Sequence, residues 1–190
     1  MQLLHIDSSI QGDLSASRAI TASVVDHIRA GKPELAVVRR DLVAEPLPHL
    51  TLDAMGGGDV LEEFLASQIV VIGAGMYNFT IPSQLKAWID RILVAGKTFR
   101  YGAEGPEGLA GDKRVIVVLA RGGAYGEGAP AAALEHAETY LKGVLAFIGI
   151  KAPEFVVAEG LAFGDEARHA AISGATDRAR LAASDLLQAA

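Results

Sequence analysis

Three stretches of this chain combine conformational freedom with groups able to hold a small anionic or aromatic molecule. The first is Ser8-Ser9-Ile10-Gln11-Gly12-Asp13-Leu14-Ser15-Ala16-Ser17. Ser15 and Ser17 fall where a helix should open, and its free N–H groups and dipole favour an anion. Ser9 can bring a third hydroxyl to the same point, making a phosphate cradle of hydroxyls and amides rather than of lysines. The competing reading is that Ser15 or Ser17 simply caps the helix. The second stretch is Met76-Tyr77-Asn78-Phe79, between an apolar strand and a helix, with no Gly-rich phosphate turn. The Asn78 amide and backbone N–H groups suit the heteroatoms of a flat ring, to which Met76, Tyr77 and Phe79 offer faces and edges. An ordinary connection with two aromatics packed inward is the alternative. The third is Ala120-Arg121-Gly122-Gly123-Ala124-Tyr125-Gly126, whose paired glycines allow close backbone approach and N–H donation to a ring carbonyl. A plain glycine turn would look the same.

The hydropathy pattern supplies the elements that must position these loops. Strands are expected at Leu3–Asp7, Leu35–Asp41, Ile69–Gly73, Arg114–Leu119 and Phe155–Ala158. Helices are expected over Ser17–Ala30, Val60–Ser67, Pro82–Ala95, Ala131–Ile148 and Glu166–Ala189. In Ala131–Ile148 the apolar positions are Leu134, Leu141, Leu145 and Ile148. Residues 44–58 and the Gly-rich excursion 96–112, which carries Phe99-Arg100-Tyr101, read as loops. Several strands are continuous apolar runs, the mark of a parallel sheet buried on both faces. The expected fold is therefore α/β, a five-stranded parallel sheet with helices on both faces and a single domain over 1–190. In the strand order 2-1-3-4-5 the loops after strands one, three and four converge on one crevice. A phosphate at the first loop and a ring between the other two describe one mononucleotide across the sheet edge.

Composition removes several function classes. Of 190 residues, 51% are apolar and 21% charged, as in globular proteins. The formal charge is -6, and Arg39-Arg40, followed by Asp41, is the densest basic spot, so a nucleic-acid partner is not expected. There are no cysteines, which excludes disulfides, thiolate catalysis and Cys-ligated metals. His5, His27, His49, His136 and His169 show no metal-ligand spacing, and no metal is expected. His5 reads as a core or edge residue, and Asp41 and Glu62-Glu63 as solvated positions. A start of MQLLHIDSS lacks a signal-peptide pattern, and no apolar run approaches the ~20 residues of a membrane span, so a cytoplasmic location is expected. The G-x-G-x-x-G, G-x-S-x-G and Walker patterns are missing.

MYNFTIPSQLKAWID, FRYGAEGPEGLAG, ARGGAYGEG, the SSI and SAS segments of the first loop and FVVAEGLAFG together resemble the FMN-dependent NADH:azoreductases. That family is a branch of the flavodoxin-like quinone reductases, and the likeness covers nearly the whole chain. The resemblance implies that Ser9, Ser15, Ala16 and Ser17 bind the FMN phosphate end. It implies that Met76, Tyr77, Asn78 and Phe79 contact the isoalloxazine, and that Ala120, Arg121, Gly122 and Gly123 wrap its pyrimidine side. It implies a homodimer in which Tyr101 and Phe147 line the substrate slot, Phe147 from the opposite chain; plain core packing of Phe147 is the alternative. The implied activity is a ping-pong one: NADH or NADPH gives hydride to flavin N5, and a quinone or azo compound then takes two electrons in the same slot. No side chain need be catalytic in such a scheme. The rivals are a flavodoxin-like electron carrier that does not oxidise NAD(P)H itself, and a serine hydrolase using the first-loop serines, which lacks a suitably spaced histidine or acid.

Overall fold

The computed structural model describes residues 1–188, and Ala189, the expected end of the last helix, lies outside them. The strands β1 (Gln2–Asp7), β2 (Ala36–Asp41), β3 (Ile69–Gly75), β6 (Arg114–Ala120) and β7 (Glu154–Ala158) form one parallel sheet ordered β2-β1-β3-β6-β7. Between β3 and β6 the chain adds a separate antiparallel hairpin, β4 (Phe99–Gly102) and β5 (Gly105–Gly108). Setting that hairpin aside, the order is the expected 2-1-3-4-5. The expected excursion over 96–112 is thus an ordered hairpin, turned at Gly105 with φ +116°.

Two cores follow from the period-2 alternation of the strands. Leu4, Ile6, Val70, Ile72, Val117 and Leu119 face α2 (Asp59–Ala66), α3 (Ser83–Ile92) and α4 (Ala137–Phe147), whose Phe64, Trp88 and Leu141 complete that layer. Leu3, Ile69, Val71, Ile116 and Val118 face α1 (Ala16–Gly31) and α5 (Asp165–Gln188). Along α5, Ala175, Ala179 and Ala183 are fully buried at i,i+4 spacing, and small residues there let it lie close on α1.

Two helices are shorter than expected. The helix sought over Ala131–Ile148 begins at Ala137, after a 3-10 turn at Ala132–Leu134, and Leu134 is exposed. The Glu135 carboxylate explains the start, since it accepts from the N–H groups of Ala137 (2.9 Å), Glu138 (2.7 Å) and Thr139 (3.1 Å). The helix sought over Pro82–Ala95 spans Ser83–Ile92, with Pro82 extended before it. Its end is set by Thr98, whose Oγ1 donates to the Ile92 carbonyl and accepts from Val94 N–H.

Candidate functional site

The carboxyl ends of β1, β3 and β6 carry the three loops, and hydrogen bonds join the loop after β3 to each of the other two. Ser9 Oγ lies 2.9 Å from the Tyr77 hydroxyl, which also accepts from Ile10 N–H at 3.2 Å. Met76 N–H donates to the Ala120 carbonyl at 2.8 Å, and the Phe79 ring meets the Tyr125 ring edge-on at 6.3 Å. Loops one, three and four therefore form one continuous rim.

In loop one, Ser9, Ser15, Ala16 and Ser17 are all buried. Ser15 does cap α1, accepting from Arg18 N–H at 3.2 Å, and its hydroxyl also meets that of Ser17 at 3.1 Å. Capping and a hydroxyl cluster coexist, because one oxygen can accept from the helix while a neighbour shares a proton with it.

Loop three is a tight turn. Tyr77 and Thr80 exchange backbone hydrogen bonds of 2.9 and 3.1 Å, and the two residues between them, Asn78 and Phe79, have φ +47° and +71°. Positive φ at both central positions is the type I′ pattern, which asparagine tolerates and phenylalanine rarely does. The strain stored at Phe79 holds an aromatic ring out at the rim, where it is 42% exposed, while Met76 and Tyr77 are half-buried and Asn78 is exposed. Thus none of this loop's aromatics packs as a fully buried core residue.

Loop four is braced from behind. The carbonyls of Arg121, Gly122 and Gly123 accept from the N–H groups of Leu161, Ala162 and Gly160, in the loop after β7. Each trans peptide points its N–H opposite its C=O, so the Gly122 and Gly123 N–H groups face away from that loop. The Arg121 guanidinium is buried among three carboxylates, Glu138 (2.5 Å), Glu159 (2.7 Å) and Glu135 (3.2 Å). The Arg121 N–H donates to the Ala158 carbonyl at 2.8 Å, so Arg121 braces the loop with main chain and side chain, and the amides turned outward are those of Gly122 and Gly123. Burial raises the Glu135 carboxyl, but the Glu138 and Thr139 N–H groups and Arg121 outweigh that and hold it below the usual range.

Charges that sequence reasoning left aside gather behind loop one. Asp41 is no solvated strand end: Arg18 binds it with a fork of 2.5 and 2.8 Å, and Val43 and Ala44 N–H groups donate to it. Arg18 holds the Asp41 carboxyl well below the usual range, against a smaller opposing effect of burial. Asp7, 1% exposed, takes Arg39 at 2.8 Å and lies 3.7 Å from Arg18 and 3.4 Å from His5, which is a buried core residue as expected. Glu63 is not solvated either, because Arg40 grips it at 2.6 and 2.8 Å; Glu62 is exposed. No one-dimensional spacing pairs Arg18 with Asp41 or Arg40 with Glu63.

A pH experiment checks the Arg18–Asp41 pair. A carboxyl depressed on folding stabilises the fold above its unfolded pKa, near 3.9, and the benefit fades as pH falls through the folded value. Asp41→Asn should lower stability by about 1–3 kcal/mol at pH 7. In urea titrations that gap should close progressively below about pH 4; a gap independent of pH would mean that Asp41 acts by shape rather than by charge.

Tyr101 and Phe147 lie elsewhere. Both contact Phe99, at 5.7 and 4.7 Å between ring centres, beside the start of β6, and Tyr101 is 74% exposed. A groove of about 1420 Å³ runs there, between the hairpin, Phe147, the first residues of β6 and the end of α5. The strand β6 separates this edge from loop four by about 20 Å, at ~3.3 Å per residue. One chain therefore brings together the residues of loops one, three and four, and it does not bring Tyr101 or Phe147 to them. Among the described residues, no group of three or more His, Cys, Asp and Glu is placed to hold a metal, and no helix is long and apolar enough to cross a membrane.

Residues 1–182 match a family described by its flavodoxin-like fold, Flavodoxin_2. An FMN-dependent NADH:quinone oxidoreductase of Methylorubrum extorquens (strain PA1) is 59% identical, with 94% of this chain and 97% of that protein covered. The FMN-dependent NADH:quinone oxidoreductase 2 of Bradyrhizobium diazoefficiens is 55% identical, with the same 94% and 97% coverage. Among solved structures, the azoreductase AzrA superposes with a TM-score of 0.88 at 30% identity, covering 97% of this chain and all of its own.

Proposed function

The chain belongs to the flavodoxin-like family of FMN-dependent NADH:quinone oxidoreductases and azoreductases, and from that premise we propose which of its residues carry the reaction and how. The activity is FMN-dependent oxidation of NADH with reduction of quinones and aromatic azo compounds. The observation that carries the residue assignment is the joined rim of loops one, three and four, closed by the Tyr77–Ser9 and Met76–Ala120 hydrogen bonds.

The residues present fit the cofactor. A phosphate monoester needs several converging donors, and loop one offers the hydroxyls of Ser9, Ser15 and Ser17 with the amides of the α1 N-terminus, Ala16 and Ser17 among them. A ring with carbonyl and nitrogen acceptors needs N–H donors at its edge, which Gly122 and Gly123 turn away from the β7 loop. It also needs flat neighbours, and the strained turn holds Phe79 and Asn78 outward beside Met76 and Tyr77. Bound FMN supplies the two-electron relay, accepting hydride from NADH and passing it to the acceptor, which no side chain of the protein can do. The protein's part is to bind and orient. Loop one fixes the phosphate end, loop three the ring face and loop four the pyrimidine edge, where backbone N–H groups stabilise negative charge without reorganising.

NADH or NADPH and the acceptor take turns in one slot above the ring, a ping-pong order. A second copy of the chain completes that slot. Tyr101 and Phe147 sit about a strand's length from the chain's own loop four, so the partner of a homodimer presents them. Residues 1–190 act as one FMN-binding domain, in the cytoplasm. Anaerobic NADH should quickly bleach the visible flavin absorbance of the FMN-loaded protein, and benzoquinone should restore it. Bleaching that requires an added reductase would instead make the protein an electron carrier.

A further inference from the structure

Arg18 lies outside the three loops, yet it holds the first of them near both of its ends, at Ser9 and at Ser15. Its backbone N–H donates to Ser15 Oγ, which meets Ser17 Oγ. Its guanidinium donates from Nε (3.2 Å) and Nη2 (3.1 Å) to the Ser9 carbonyl, while Nη1 and Nη2 fork onto Asp41. We infer that Arg18 is a positioning residue of the phosphate cradle: through the Ser9 carbonyl and the Ser15 hydroxyl it fixes where the Ser9 and Ser15 side chains stand around the start of α1, without binding the anion itself. The inference rests on the proposal that FMN occupies this site.

The geometry of one peptide group carries the argument. Arg18 holds the Ser9 C=O, and the Ile10 N–H of the same planar trans peptide points the opposite way, onto the Tyr77 hydroxyl. That hydroxyl also meets Ser9 Oγ. The peptide is thus fastened on both sides, by a guanidinium behind and a phenol in front. The Ser9 side chain that it carries is therefore in place before any ligand arrives, which lowers the ordering cost of binding. The Arg18 charge is itself spent on Asp41 and lies 3.7 Å from Asp7, so attraction for a phosphate is largely cancelled by two carboxylates. Position is what remains for it to contribute. Lysine could not replace it, because a single ammonium cannot fork onto a carboxylate and grip a carbonyl from a planar set of donors.

The test compares FMN with riboflavin, which differ only in the phosphate. Apoprotein is titrated with each flavin, following fluorescence quenching, for the wild type, Arg18→Met and Arg18→Lys, at a temperature where circular dichroism shows all three folded. For both variants, FMN affinity should fall on the order of tenfold to a hundredfold, the range for lost hydrogen bonds to a charged group. Riboflavin affinity should stay within about threefold, since the backbone of loop three is held by its own Tyr77–Thr80 pair and by Met76 N–H on Ala120. Equal losses for the two flavins would show a merely structural role and overturn the inference. Recovery of FMN binding by Arg18→Lys would overturn it too, by showing that charge alone matters. If Arg18→Met does not fold, Asp41→Asn makes the same comparison, with a smaller FMN-selective loss expected and an equal loss again contradicting the inference. Wild-type apoprotein that binds neither flavin would remove the FMN assignment itself, a result distinct from the other two.

Discussion

Replacing Arg121 by methionine should destabilise the protein by about 3–5 kcal/mol, the usual cost of removing one partner from a buried ionic cluster. The variant would leave Glu135, Glu138 and Glu159 converging on an apolar side chain, with Lys142, 2.6 Å from Glu138, as the cation in the cluster among the described residues. The loss should depend on pH in a definite direction. Without the guanidinium, Glu135 loses one of the groups that hold its carboxyl below the usual range, so it takes up a proton more readily in the folded variant than in the wild type. The gap between variant and wild type, measured by urea unfolding, should therefore narrow between pH 7 and about pH 4, where carboxylates begin to protonate. FMN affinity should fall as well, because Arg121 joins loop four to α4 and to the loop after β7. A loss under about 1 kcal/mol, the worth of an exposed pair, would mean that the cluster is solvated and does not brace the loop.

Gly108→Ala should separate the substrate slot from the cofactor site. A Cβ at Gly108 would lie 2.0 Å from the Gly149 nitrogen and 2.2 Å from the Ile148 carbonyl carbon. Both are backbone atoms, and the Gly149 main chain is held at φ +97° while Ile148 C=O accepts from Ala110 N–H. No rotamer change can make room, so β4 and β5 must lift off the end of α4. We expect a cost of about 3 kcal/mol, at the upper end for overpacking. Lifting the hairpin parts Phe99 from Phe147 and displaces Tyr101, so quinone reduction should fall at least tenfold. FMN affinity should be unchanged, since the cofactor loops lie at the opposite edge of the sheet. Turnover that survives in a measurably destabilised variant would place Tyr101 and the hairpin outside the slot.

The sheet was legible in the sequence because strands buried on both faces can hardly be anything but apolar runs. Ile69–Gly75 is buried at every position and reads that way directly. The chemical character of the three loops was legible too, since serines before a helix, an aromatic Asn turn and paired glycines each restrict what can bind. The α4 start was misplaced because helical periodicity through Leu134 is blind to the Glu135 carboxylate, which satisfies the first N–H groups three residues further on. The 96–112 segment hid a hairpin because a four-residue strand such as Gly105–Gly108, GPEG, has no hydropathy pattern to read.

Residue order alone dictates which residues can be buried and which groups can donate, because burial and hydrogen bonding are properties of single side chains and their near neighbours. The tertiary structure alone decided the pairings of charge, Arg18 with Asp41 and Arg121 with its three glutamates, and the side of the sheet on which each aromatic stands. Such pairings depend on chain segments that meet only after the strands have taken their order. A residue's role at this site is therefore set as much by what lies behind it in the packed molecule as by its own chemistry.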